Sequence, residues 1–176
     1  MDDLGSRLAH GDPVAFAELY DRNAARLYRY LAVRLGSRAD AEDVLHDVFV
    51  RLARTRKRLT EVTNLVAYLF AAARNEAARF VARRARGAVA ETAGAARLEL
   101  REAPAGELEG REAVEWVGAA LARLEPCLRD IVELKTYGGL TFHEISEVTG
   151  LPQGTVATRY RKALEKMRIE LARHGP

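Results

Sequence analysis

Apolar side chains return every three or four residues along most of this chain, and no stretch alternates apolar with polar residues as a strand would. That feature confines the fold to packed helices. Phe16, Leu19, Ala24, Leu27, Leu31 and Leu35 follow at helical spacing, with Asp12 as a cap, Pro13 in the first turn and Gly36 as the stop. Val44, Leu45, Val48, Phe49 and Leu52 mark a second helix from Arg38 to Thr55. Residues 59–64 break the pattern and read as a loop. Asn64 or Thr63 caps a third helix, Leu65 to Arg84, whose apolar members include Leu65, Tyr68, Leu69, Ala72, Ala73 and Phe80.

The periodicity lapses over residues 87–111, which are rich in Ala, Gly and Glu, contain Pro104 and hold few large apolar residues. This is a linker composition. Helical spacing resumes with Val114, Val117, Leu121 and Leu124, then with Leu128, Ile131, Val132 and Leu134 behind Pro126. Tyr137-Gly138-Gly139 ends that helix, and Thr141 with Glu144 forms a capping box for a short one carrying Phe142, Ile145 and Val148. Gly150-Leu151-Pro152 is a turn, and a last helix turns Val156, Tyr160, Ala163, Leu164, Met167 and Leu171 inward. The expected fold is therefore all-α: two small helical domains, 1–86 and 112–176, joined by a flexible linker, with a helix-turn-helix in the second.

Function is narrowed first by what is missing. Four histidines (His10, His46, His143, His174) have no metal-ligand spacing, and Gly138-Gly139 is a turn rather than a phosphate loop. Cys127, beside Pro126 and without a partner, reads as a buried small residue, and Trp116 as an interdomain or core anchor. No catalytic residue, metal site or cofactor is expected. No apolar run approaches the roughly 20 residues of a membrane span. The opening Met1-Asp2-Asp3-Leu4 lacks the apolar core of a secretory signal, and one cysteine cannot form an internal disulfide, so the expected compartment is the cytoplasm.

The 28 Lys and Arg exceed the 25 Asp and Glu only slightly, but unevenly. Residues 1–86 hold 16 cations against 11 anions, concentrated in Arg54, Arg56, Lys57, Arg58 and then Arg79, Arg83, Arg84, Arg86. Such clusters serve as solvated faces or as phosphate-tracking surfaces. The second helix carries Asp40, Glu42, Asp43 and Asp47 early and Arg51 and Arg54 late, the order its dipole favours. In the last helix, small and polar Gln153, Gly154, Thr155, Ala157 and Thr158 precede Arg159, Arg161 and Lys162. Small residues let a helix start approach DNA, where N–H groups meet phosphate and long side chains meet base edges. Pattern alone leaves a plain helical hairpin with a charged outer face as the other reading.

The segment from Gly139 to Val156, reading G-L-T-F-H-E-I-S-E-V-T-G-L-P-Q-G-T-V, resembles the promoter-binding domain of extracytoplasmic-function sigma factors. Leu124 to Val132 resembles the lead-in to that domain. Asp40 to Leu52, reading D-A-E-D-V-L-H-D-V-F-V-R-L, and Ala73-Arg74-Asn75 resemble the same family's first domain, as does the opening Asp12 to Phe16. The resemblance spans nearly everything but the linker and implies three partners: core RNA polymerase, promoter DNA and an anti-sigma factor. It implies that Asp40, Glu42, Asp43, Asp47 and Arg51 dock on the polymerase clamp. It assigns the downstream promoter element to Arg56, Lys57, Arg58, Asn64, Arg74, Asn75, Arg79, Arg83 and Arg84, with one base flipped into the loop before the third helix. It assigns the upstream element to Gln153, Thr155, Thr158, Arg159, Arg161 and Lys162. His46 stands where Gln is usual, Ala157 where Lys is frequent, Tyr68 where Trp is frequent, and Arg79 where Asp is frequent. Two other readings share parts of this pattern: a helix-turn-helix regulator that never docks on polymerase, and a sigma-like adaptor that binds only protein.

Overall fold

A computed structural model describes residues 4–88 and 108–174. The chain divides into two compact units, Met1–Arg97 and Leu98–Pro176, each with its own core. Of the linker expected over 87–111, residues 87–88 end one helix and 108–111 begin the next, while 89–107 lie outside the described residues. Every secondary-structure element among the described residues is a helix, without strands.

The first unit holds α1 (Leu4–Ala9), α2 (Pro13–Leu35), α3 (Arg38–Arg54), a 3₁₀ helix (Arg56–Glu61) and α4 (Leu65–Ala88). Local chemistry sets the boundaries. Asp12 Oδ1 accepts the Val14 N–H at 2.9 Å, Pro13 opens α2, and Gly36 closes it. The Ser37 hydroxyl oxygen accepts from Asp40 N at 3.2 Å to start α3. Of the two caps the sequence offered for α4, Asn64 is one in use: its Oδ1 accepts the Ala67 N–H at 3.1 Å. Leu19, Leu27, Leu31, Val44, Val48, Leu52, Leu69 and Phe70 fill the space between α2, α3 and α4. The Tyr30 and Phe70 rings meet at 5.8 Å, and such a ring pair adds about 0.5–1.5 kcal/mol beyond the area it buries.

Two elements differ from the sequence expectation. α1 precedes the helix expected first. Six residues give a single apolar repeat, too little for periodicity to register, yet Leu8 is fully buried. Residues 56–61 form a 3₁₀ helix where part of a loop was expected. Its three-residue turn does not produce the 3.6 period, and Leu59, at 1% exposure, pins it to the core.

The second unit holds α5 (Leu108–Ala122), α6 (Pro126–Thr136), α7 (Phe142–Thr149) and α8 (Gln153–His174). Leu121, Leu128, Ile131, Leu134, Leu140, Ile145, Val156 and Ala163 form its core. Glu133 is wholly buried there, and its carboxylate accepts from Arg129 Nε at 2.6 Å. Two apolar expectations are corrected. Cys127 is exposed, because Leu128 takes the inward position of that first turn. Leu164 is 43% exposed, since α8 turns Ala163 and Met167 inward; Val114, which marked the spacing of α5, is also 43% exposed, with Ala120 and Leu121 on the inner face of that helix. Trp116 is half-buried beside Ala119, Ala120 and Leu171, in a groove between α5 and α8.

Candidate nucleic-acid interface

The acidic helix is α3. Val44, Val48 and Leu52 fix its inner face, which leaves Glu42, Asp43, His46, Asp47 and Arg51 exposed on the other. Asp43, Asp47 and Arg51 recur every fourth residue and share one stripe. Asp40 sits apart: its carboxylate takes the Arg84 guanidinium from α4 at 2.5 Å. Phe49, half-buried, meets the exposed Tyr20 ring at 4.9 Å on the flank of the acidic stripe.

At the other end of α3, Arg51 pairs with Glu76 of α4, and Arg79 reaches the same carboxylate oxygen at 2.9 Å. Glu76 is 8% exposed. Two half-exposed arginines, one assigned to polymerase and one to DNA, thus hang on one buried anion. The sequence reading missed Glu76. Its signal was the acid one turn before Arg79, where the resemblance leads one to expect Asp at 79 itself.

The cations of the 3₁₀ helix, Arg56, Lys57 and Arg58, are all exposed. Arg56 Nη1 donates to the Ala53 carbonyl at 3.2 Å, which holds its stem against the end of α3. Asn64 is half-buried, and its side-chain oxygen is used by the α4 cap. Along α4, Asn75, Arg79, Arg83 and Arg86 stand at intervals of four, four and three, so they share one exposed stripe. The Arg83 guanidinium lies 6.0 Å from the Phe80 ring centroid. Arg74 and Arg84 lie off this stripe, Arg74 half-buried and Arg84 turned to Asp40.

In the second unit, α7, its turn and α8 make the helix-turn-helix. Thr141 and Glu144 cap reciprocally: the Thr141 hydroxyl oxygen accepts from Glu144 N at 3.1 Å, and Thr141 N donates to Glu144 Oε2 at 2.7 Å. Gly150 adopts φ 71° at the turn, a conformation costly for other residues. Ser146 Oγ donates to the Leu151 carbonyl at 2.6 Å and braces the turn from inside. The Phe142 ring meets Tyr160 edge-on at 5.5 Å, locking α7 to α8. Lys135 Nζ lies 5.1 Å from the Phe142 centroid and donates to the Leu140 carbonyl at 3.0 Å, which ties α6 to the same joint.

With Val156, Ala163 and Met167 inward, α8 turns Gln153, Thr158, Arg161 and Lys162 outward. Thr155 and Arg159 are half-buried at the edges of that face. The Thr158 hydroxyl donates to the Gly154 carbonyl at 2.9 Å and keeps its oxygen as an acceptor. Farther along, Lys166 pairs with Glu125 at 2.6 Å and Arg123 with Glu170 at 2.5 Å. The Lys166 ammonium holds the Glu125 carboxyl below its usual range. Burial, with the nearby Glu133 charge, raises the Tyr137 phenol above its ordinary value. Among the described residues, no group of three or more His, Cys, Asp or Glu is placed to hold a metal ion. No helix among them is long and apolar enough to cross a membrane.

Residues 19–87 match the family model of Sigma-70 region 2, and residues 115–167 match that of Sigma-70, region 4. The chain is 30% identical to the ECF RNA polymerase sigma factor SigK of Mycobacterium ulcerans over 178 residues, covering 95% of this chain and 92% of that protein. It is 28% identical to the ECF RNA polymerase sigma factor BldN of Streptomyces coelicolor over 95% of this chain, and spans 64% of that longer protein. In fold it resembles the sigma factor RpoE solved with the anti-sigma factor NepR from Bartonella quintana, with a TM-score of 0.74 and 20% identity over 89% of this chain and 96% of that one.

Proposed function

Because the chain belongs to the extracytoplasmic-function sigma factors, we propose that it recruits core RNA polymerase through α3 and reads a promoter with both of its units. Its function is that of an RNA polymerase sigma factor in transcription initiation. The observation that carries the site assignment is one chain bearing both a bare acidic stripe on α3 and a helix-turn-helix with a cationic outer face. A free-standing regulator has use for the second and none for the first. Glu42, Asp43 and Asp47, flanked by Phe49 and Tyr20, offer the mixture of apolar anchor and charged rim that a protein contact uses.

In this reading the 3₁₀ helix and the Asn75–Arg79–Arg83 stripe meet the downstream element. There, lost base stacking is offset by contacts to an unpaired strand. Gln153, Thr155, Thr158, Arg159, Arg161 and Lys162 meet the upstream element in a major groove. The protein acts by binding and positioning, in the cytoplasm with the polymerase, and takes no chemical step of its own. An anti-sigma factor, the kind of partner present in the solved relative with NepR, covers these faces until a signal removes it.

Asp43→Arg tests the docking assignment. Asp43 is exposed, so the fold should survive while a charge reversal meets the polymerase. Affinity for core polymerase should fall by about tenfold or more in a titration, with an unchanged helical circular-dichroism signal. Unchanged affinity would remove α3 from the contact.

A further inference from the structure

α1 has no part in the function proposed so far, yet it is built against the segment that carries Arg56, Lys57 and Arg58. Three observations define the joint. At Gly5, a Cβ would come within 3.0 Å of the Leu59 carbonyl oxygen, so the α1 backbone lies directly on the 3₁₀ backbone. Side chains cannot relieve that contact by rotating. Leu8 and Leu59 are both buried beside it, at 0% and 1% exposure. Beyond α1, Gly11 holds φ 83°, and a Cβ there would meet Arg56 Nε at 3.1 Å, so the turn forms a bed for the Arg56 stem.

α1 is also fixed from behind. Arg7 Nε donates to Asp12 Oδ2 at 2.8 Å, Arg7 Nη1 reaches Glu18 Oε2 at 3.4 Å, and Asp12 N donates to the Arg7 carbonyl at 3.0 Å. Both carboxylates belong to the start of α2. The chain of contact thus runs from α2 through α1 to the 3₁₀ helix, whose cations face solvent.

We propose that α1, through the close approach of Gly5 to Leu59 and of Gly11 to Arg56, positions the 3₁₀ helix and thereby sets which bases of the downstream element it accepts. Gly5 is a specificity-determining residue that touches no DNA. The inference rests on the reading that Arg56–Asn64 meets the downstream element. A pocket for an unpaired base tolerates little displacement, because discrimination follows from the positions of a few donors and acceptors.

The test uses the full chain reconstituted with core RNA polymerase and a promoter pool. The pool varies every base of the downstream element and keeps the upstream element constant. Initiation from each member gives a base-preference profile. Three variants are compared with the parent: Gly5→Val, Gly5→Ala, and the triple Arg56→Ala/Lys57→Ala/Arg58→Ala. Amide hydrogen exchange over residues 56–62 reports whether the segment has moved.

Gly5→Val should change the relative use of downstream bases by roughly threefold or more, against the larger penalties of a full mismatch. It should speed exchange over 56–62 and leave affinity for polymerase and for the upstream element unaltered. Gly5→Ala, which adds only the Cβ at 3.0 Å, should move the profile less and in the same direction, and it carries the comparison if Gly5→Val loses helical signal or polymerase binding. A triple variant that shifts the profile while both Gly5 variants leave it unchanged would overturn the positioning role and leave the reading of the 3₁₀ helix intact. A triple variant with the parental profile would remove the 3₁₀ helix from base selection, and the role of α1 with it.

Discussion

At the scale of single residues, the caps were legible and the hubs were not. Asp12, Gly36, Thr141 and Gly150 act on backbone within a few positions of themselves, so their types and places in the sequence were sufficient evidence, while the choice between Thr63 and Asn64 needed the structure. Glu76 shares its carboxylate with Arg51, 25 residues earlier, and no local rule reveals that partner. Cys127 failed for a related reason: which side of a first turn faces the core depends on the neighbouring helices. Glu76→Gln keeps the shape and removes the charge. Both arginines are about half-exposed and can rehydrate, so the loss should be modest, about 1–2 kcal/mol in urea denaturation. A larger effect should appear in function, since Arg51 and Arg79 lose their common anchor together. Tyr137 gives a prediction in pH. Its phenol is raised above the ordinary value of 10.0 by burial and by Glu133, so the native state holds that proton more tightly than the unfolded chain does. The stability this confers is complete below pH 10 and is lost as pH rises through the raised value. Tyr137→Phe should flatten the alkaline limb of a stability-against-pH curve, and an ultraviolet titration of the parent should locate the shift.

At the scale of elements, α2, α3, α6, α7 and α8 were each announced by three or more apolar residues at helical spacing, and α2 and α7 also by their caps. α1 and the 3₁₀ helix are too short or too tightly wound to carry that signal, and only their buried leucines, Leu8 and Leu59, betray them. The outer face of α8 was legible as a list of residue types, but its geometry was not. Packing around Val156, Ala163 and Met167 decides that Arg161 and Lys162 point outward while Arg159 lies at the edge. A ranking follows among three cations that the sequence treated alike. Arg161→Ala and Lys162→Ala should each weaken binding to the upstream element, and a residue that meets phosphate should reduce the salt slope by about 1. Arg159→Ala should act more on base preference than on the salt slope, because a half-buried side chain at the helix edge has a restricted reach. Footprints at several salt concentrations separate these outcomes. Equal slopes for all three would mean that the orientation of α8 does not sort them.

At the scale of the whole molecule, the two-domain organisation was legible because hydrophobic periodicity lapses once and resumes. The chain divides into two compact units, Met1–Arg97 and Leu98–Pro176. Each unit has a separate core, Tyr30 and Phe70 at the centre of one, Ile131 and Ile145 within the other. Separate cores have an energetic consequence. We expect a substitution to act within the unit that holds it, so effects on promoter binding should combine without coupling. Lys57 lies on the 3₁₀ helix of the first unit and Lys162 on α8 of the second, and both are exposed. In the proposed reading both units engage one DNA molecule with polymerase bound, and tethering makes each contact worth more than it is alone. The free energies lost by Lys57→Ala and Lys162→Ala should nonetheless add in the double variant to within about 0.5 kcal/mol. The measurement is promoter affinity of the reconstituted polymerase for the parent, the two single variants and the double. A deviation well beyond that margin would mean that the units communicate once they are mounted on polymerase and DNA. The separate cores would then not define the functional modules.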